Sequence, residues 1–209
     1  MTHSLHSYRF GNQTIRLQVP DPQEVRAHYR RQKAIDAEAP LPYWSQVWPA
    51  AEGLCRYLAA HTEMVRDKDV LELAAGLGLP SLLATRWARH VVCTDNRPEA
   101  LDVVLQSARL NGSTNLSVRV LDWNRLPEDL HPDILLLSDV NYEPEAFPGL
   151  LAALQSFLTK GTVILLSTPQ RLSAKPFLEQ LLPWKREETA YEVQQEQEVV
   201  KVSVWKLSQ

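Results

Sequence analysis

Residues 69–96 read DVLELAAGLGLPSLLATRWARHVVCTDN, and the order of residue types in this stretch decides the architecture. An apolar run carries an acid at Glu72, a turn holds Gly76 and Gly78, and an amphipathic stretch opens on Pro80. A second apolar run then ends at Asp95. The succession is strand, glycine turn, helix, strand and acid, which makes one βαβ unit.

The same rhythm continues downstream. Strands are expected over DVLELA, HVVCTD, LSVRVLD, DILLLSDV and TVILLS, with helices at about 80–89, 97–110, 145–158 and 172–182. Near-continuous apolar strands separated by amphipathic helices indicate a parallel sheet covered on both faces. The tail, ETAYEVQQEQEVVKVSVWKL, has two β-rich runs with no helix between them, so they join antiparallel. The expected fold is α/β: a doubly wound, mostly parallel seven-stranded sheet ending in an antiparallel hairpin. Upstream, YRFGNQTIRLQVP alternates apolar and polar residues as a short strand or hairpin, and a polar helix-prone segment follows. The chain reads as a single domain, with 1–48 an N-terminal extension and 49–209 the core.

Composition removes several classes. A chain of 209 residues with 44% hydrophobic and 22% charged residues can bury a full core. Its net charge of −3 gives no footprint for nucleic acid. Cys55 and Cys93 are too few for a disulfide framework or a zinc site and read as small buried hydrophobes. The six histidines show no metal-binding spacing. No signal peptide or membrane span is legible, so a cytoplasmic, metal-free protein is expected, with a monomer as the default.

An acid closing the second strand of a βαβ unit holds a ribose, and two ligand classes carry one: a dinucleotide with a pyrophosphate, or a sulfonium with an amino-acid tail. In G-x-G-x-x-G the backbone and helix N-terminus grip a pyrophosphate. Here Ser81 replaces the third glycine, and Pro80 removes an N–H that a phosphate would use. Glu72, inside an apolar strand, requires a positive or donor-rich partner, either a protein group or a bound cation. Asp95 serves the ribose or caps the next helix. Asp122 and Trp123, in VLDW, sit where an adenine edge would lie, or form a turn beside a core indole. Asp139 and Tyr142, in LLLSDVNYEP, emerge at the end of the fourth strand of the repeat, beside the switch point where ligands bind. The two prolines of the Asn/Asp-Pro-Pro-Tyr clamp are absent, which argues against nucleobase methylation. The aromatic stretch PLPYWSQVWP is explained equally by packing and by an acceptor channel.

These pieces together resemble the seven-β-strand S-adenosylmethionine-dependent methyltransferases, and within them methyltransferase family 16, the protein lysine methyltransferase-like group. The resemblance runs from about Tyr43 to Ser173 through VWPAAEGLCRYL, VLELAAGLGLPSLLA, VVCTD, VLDW and SDVNYEPEAF. GLGLPSLLA, SDVNYEPEAF and STPQRLS are most similar to the branch for which arginine methylation has been proposed. The resemblance implies a Rossmann-like class I fold and N-methylation of a protein side chain. A small-molecule acceptor, or a non-catalytic module that keeps the cofactor, is the alternative. It further implies that Glu72, Ala74, Gly76 and Gly78 surround the methionine part of the cofactor and that Asp95 takes the ribose. Asp122 and Trp123 would take the adenine, and Ser138 and Trp48 would line the site, whereas packing explains Trp44. Asp139 and Tyr142 match the family's Asp-x-x-Tyr element beside the methyl acceptor. Many members have glycine where Ala74 stands.

Overall fold

In the computed structural model, which describes residues 1–195 and 198–209, the chain opens with a hairpin of β1 (His3–Phe10) and β2 (Gln13–Pro20). Glu196 and Gln197, in the tail stretch quoted above, lie outside the described residues. The hairpin begins five residues before Tyr8, because His3 to Ser7 are held by backbone pairing to β2 and carry no apolar alternation of their own. Asp21 caps α1 (Pro22–Ile35) by accepting from the backbone N–H groups of Gln23 and Glu24 at 2.7 and 3.0 Å.

After α2 (Pro49–Ala60) the alternating pattern sets in. It comprises β3 (Asp69–Glu72), α3 (Leu79–Ala84), β4 (His90–Asp95), α4 (Pro98–Asn111), β5 (Leu116–Val120), β6 (Ile134–Ser138), α5 (Phe147–Thr159), β7 (Val163–Pro169) and α6 (Lys175–Leu181). The tail forms β8 (Lys185–Gln195) and β9 (Glu198–Leu207). One seven-stranded sheet results, in the order β5-β4-β3-β6-β7-β9-β8. β3 to β7 are mutually parallel, and β9 runs antiparallel to both β7 and β8. Helix α3 is shorter than its pattern suggests. Asn115 Nδ2 donates to the carbonyls of Thr85 and Ala88 at 3.1 and 2.9 Å, and the chain turns there.

The two-residue period of the strands explains why both faces are apolar. Val70, Ile134, Leu136 and Leu165 point to the face covered by the hairpin, α2 and α3. Leu71, Leu135, Leu137 and Leu166 point to the face covered by α5 and α6. Cys55 and Cys93 are both buried free thiols. The N-terminal hairpin docks on α4, where the Asn111 side chain accepts from the backbone N–H of Arg16 at 2.9 Å and donates to its carbonyl at 2.6 Å.

Strand order reverses between β3 and β6, so the connections leaving those two strands diverge to opposite sides. A crevice opens at their C-terminal ends, the place where ligands bind in such sheets. α2 borders the crevice, anchored where Ser167 Oγ donates to the Ala50 carbonyl at 2.7 Å.

Candidate active site

The loop after β3 is built from left-handed residues. Ala74, Gly76 and Gly78 have φ of 51°, 54° and 68°. At Gly78 a side chain is excluded twice over, since a Cβ would lie 2.9 Å from Val104 Cγ2 and 3.1 Å from Cys93 Sγ. At Gly76 a Cβ would come within 3.2 Å of the Trp44 carbonyl oxygen. Ala74 adopts the same region with a methyl group, at a backbone cost of about 1 kcal/mol.

Asp95 ends β4 directly beneath this loop and is 6% exposed. Oδ2 accepts from the Gly76 N–H and Oδ1 from the Arg97 N–H, both at 2.9 Å. Each oxygen keeps a lone pair for a further donor. Burial raises its pKa, and the bonds from Gly76 and Arg97 oppose that rise.

Glu72 differs from its expected place. Period two turns its side chain to the α2–α3 face, where it is fully buried and does not line the crevice. The donor-rich partner is Ser81, whose N–H and hydroxyl donate to Oε2 at 2.8 and 2.5 Å. Oε1 has no partner among the described residues. Burial pushes the Glu72 pKa up to about 8, against the two Ser81 bonds. Pro80 has no N–H, Ser81 gives its own to Glu72, and Leu82 gives its own to the Gly78 carbonyl. Those positions of the α3 N-terminus therefore have no donor for a pyrophosphate, and a phosphate would approach a buried carboxyl group.

The cavity walls gather residues from five separate segments. Ala74, Gly76 and Gly78 line it from the loop, with Asp95, Asp122, Trp123, Ser138, Asp139 and Tyr142 from the strand ends. Asp122 also caps a short 3-10 turn, accepting from Asn124 N–H at 2.9 Å. The aromatic stretch before α2 closes the cavity, with Tyr43, Trp44 and Trp48 all contributing to the wall. Trp48 is fixed by an Nε1–H bond to the Tyr43 carbonyl at 2.9 Å. Trp44 both packs on the core and lines the cavity.

Asp139 is 5% exposed and sits at a φ of 57°, a conformation aspartate tolerates better than most residues. Its carboxylate is not free. Arg171 NH1 and NH2 donate to Oδ1 and Oδ2 at 2.6 and 3.0 Å, because a carboxylate so far from water needs a counter-charge. Burial raises the Asp139 pKa, and Arg171 pulls it back down. Tyr142 stacks edge-on against Tyr43 at 4.9 Å, and burial pushes its phenol up to about 12. Arg171, Tyr43 and Asn96 carry no sequence signal of their own as site residues. Asp139 and Arg171 stand 32 positions apart and meet only through the β6–β7 pairing.

The donor set fits an adenosyl sulfonium. It offers an acid with spare lone pairs for a diol and an exposed acid beside an indole for an aminopurine. A family model described as lysine methyltransferase matches residues 43–184. The chain belongs to this family. As a member it is an S-adenosylmethionine-dependent methyltransferase. The chain is 38% identical over 143 residues to "Histone-arginine methyltransferase METTL23" of Homo sapiens, 65% of this chain and 75% of that one. It is 33% identical to "Protein N-lysine methyltransferase METTL21A" of Xenopus tropicalis, over 60% of each chain. With the "Electron transfer flavoprotein beta subunit lysine methyltransferase" of Mus musculus it shares 30% identity over 62% of this chain and 51% of the relative. Among solved structures, N-methyltransferase NodS of Bradyrhizobium japonicum with S-adenosyl-l-homocysteine aligns at a TM-score of 0.63 and 14% identity, covering 88% of this chain and 99% of that one. The M. jannaschii tRNA m1G37 methyltransferase aligns at 0.61 and 15%, covering 100% and 58%. At those identities the likeness concerns the fold. It places this lysine methyltransferase family member on the Rossmann-like scaffold.

Proposed function

We propose that this methyltransferase N-methylates a lysine or arginine side chain of a protein. The observation that carries the reading is that Asp139 and Tyr142 line the same cavity as Asp95 and the glycine loop. An acceptor nitrogen held there would lie next to the methyl donor. The names of the matched relatives, which are lysine and arginine methyltransferases, support a protein acceptor.

In this reading Asp95 accepts from the ribose hydroxyls, Asp122 from the adenine amine, and Trp123 covers the ring. Ala74, Gly76, Gly78 and Ser138 border the methionine end, and Trp48 closes it from the α2 side. Glu72 acts from beneath, holding the start of α3 and so the loop. When bound, S-adenosylmethionine supplies a methyl group activated on sulfur. The residues contribute alignment and charge control, which a direct displacement chiefly requires. Asp139 draws in a cationic side chain, and the protonated Tyr142 hydroxyl fixes the direction of its nitrogen. A lysine acceptor must also surrender a proton, which the Asp139 carboxylate can accept. A cytoplasmic setting belongs to the same proposal and is supported by two cysteines that are free thiols. So does the division into an extension of residues 1–48 and a core of 49–209.

Titration calorimetry with S-adenosylhomocysteine, run beside NADH, tests the cofactor assignment. Saturable binding of the first alone is expected. Labelled methyl transfer from S-adenosylmethionine into a cell extract tests the acceptor. Label in protein supports the proposal, and label confined to small molecules overturns it.

A further inference from the structure

A second cavity lies on the far side of Trp48. It is bounded by Pro49, by Pro169–Arg171 at the end of β7, and by Gln195, Val200 and Lys201 of the terminal hairpin. Trp48 lines both cavities, so the two share a wall. Asp139 and Arg171 bridge them as well, since Asp139 lines the cofactor cavity and Arg171, bonded to it, lines the second one. The pair is asymmetric. The Asp139 side chain is 4% exposed and that of Arg171 is 35% exposed. Among the described residues that line the second cavity, Arg171 and Lys201 carry charge and no carboxylate does. Trp48, Pro49, Pro169 and Val200 supply apolar surface around them.

Charge balance constrains what can enter. Arg171 occupies one lone pair on each oxygen of the Asp139 carboxylate and leaves the other on each. A cationic acceptor arriving at Asp139 meets a neutral pair whose positive member repels it. It can take a remaining lone pair beside the guanidinium, but two cations then share one carboxylate, and the excess positive charge calls for an anion.

We propose that the second cavity receives the stretch of protein flanking the methylated residue, and that this stretch carries a carboxylate which Arg171 binds. The acceptor's cation goes to Asp139 and its Asp or Glu goes to Arg171, so that two cations face two carboxylates. Lys201 at the same mouth adds to the preference for an anion. Isolated lysine or arginine, or a purely basic segment, leaves the excess positive charge unbalanced and is a poor acceptor. The proposal rests on the protein side-chain reading above and narrows its substrate class.

The test uses the full chain, labelled S-adenosylmethionine and paired peptides. Each peptide carries one central lysine or arginine, with Glu or Gln at each of the neighbouring positions in turn, alongside labelling of whole-extract protein. Wild type is expected to favour the Glu peptide at one or more positions by about tenfold or more in kcat/KM, the scale of a charge-assisted hydrogen bond. Arg171→Gln is expected to lose that preference while retaining S-adenosylhomocysteine affinity, and Arg171→Lys to restore part of it. Should Arg171→Gln fail to fold, the wild-type and Arg171→Lys preferences decide the matter. Equal use of Glu and Gln peptides at every position, with peptide or extract protein still labelled, overturns the inference and leaves the protein-acceptor reading standing. Absence of label from every peptide and every protein overturns both.

Discussion

Ser81 donates its backbone N–H and its hydroxyl to the same oxygen of Glu72, at 2.8 and 2.5 Å, in a fully buried position. The residue that breaks the dinucleotide fingerprint is therefore the one that satisfies the strand acid. One contact both ties the glycine loop to β3 and removes a helix N-terminal donor from any phosphate.

The Glu72–Ser81 contact predicts a pH dependence. The folded pKa of Glu72 is about 8, against about 4.3 for an unfolded glutamate. Between those values the folded chain holds a proton that the unfolded chain has released. The stabilisation is full below the lower value and is lost as pH rises through the folded pKa. Glu72→Gln mimics the neutral acid at every pH, so its stability relative to wild type should grow with pH. The expected gain is on the order of 1 kcal/mol per pH unit between about pH 5 and 8. Denaturant melts of both proteins read it directly. A constant difference across that range would show that Glu72 titrates normally.

The fold was legible because the strand runs and the helix repeats carry their own periods, and the helix-free tail could only pair antiparallel. The glycine loop, Asp95, Asp122, Trp123, Asp139 and Tyr142 could be placed near one another because doubly wound sheets bring strand ends together. What escaped were contacts that depend on side-chain direction or on tertiary meetings. Glu72 was assigned to the ligand side, yet its two-residue register with Val70 sends it under α3. Arg171 sits after β7 in a polar loop, and nothing in its neighbours marks it as the partner of a residue on β6. Trp44 packs on the core as its spacing suggested, but the short 3-10 turn that carries it also brings the residue into the cavity wall, its backbone against Gly76.

Ala74 at a φ of 51° carries strain that a glycine would not. Ala74→Gly should stabilise the chain by about 1 kcal/mol, a Tm rise of about 2–4 °C for a chain of this size. S-adenosylhomocysteine affinity should hold or rise, since a methyl group leaves the cavity wall. Differential scanning calorimetry and titration calorimetry check the two effects. A loss of stability would mean that the methyl contact outweighs the backbone strain.

Asp95 couples loop geometry to ligand binding, since Gly76 and Arg97 both donate to it. Asp95→Ala removes those acceptors together with the proposed ribose contact. It should weaken S-adenosylhomocysteine binding by about tenfold or more and lower Tm at the same time. Asp95→Asn keeps one carbonyl acceptor and should fall between the two. Unchanged affinity in Asp95→Ala, measured by calorimetry, would remove the ribose assignment.

The last pair to separate is Asp139 and Tyr142. Tyr142→Phe keeps the ring that meets Tyr43 at 4.9 Å and loses only the hydroxyl. If that hydroxyl aims the acceptor nitrogen, kcat should drop by about 10- to 100-fold with S-adenosylhomocysteine affinity unchanged, the signature of a contact that matters in the transition state. Because the phenol titrates at about 12, it stays protonated through the ordinary working range. The alkaline limb of the wild-type rate profile should therefore persist in Tyr142→Phe at the same position. Asp139→Ala should abolish transfer and spare the cofactor, since Asp139 reaches the site from β6 and the ribose acid from β4. It also leaves the Arg171 guanidinium without its carboxylate, so some stability should be lost too. Asp139→Asn separates the two effects by keeping an acceptor for Arg171 while removing the charge. Transfer lost in both variants, with Tm held closer to wild type in the Asn form, assigns the charge to the acceptor. Transfer retained in Asp139→Asn would mean that the carboxylate serves Arg171 alone.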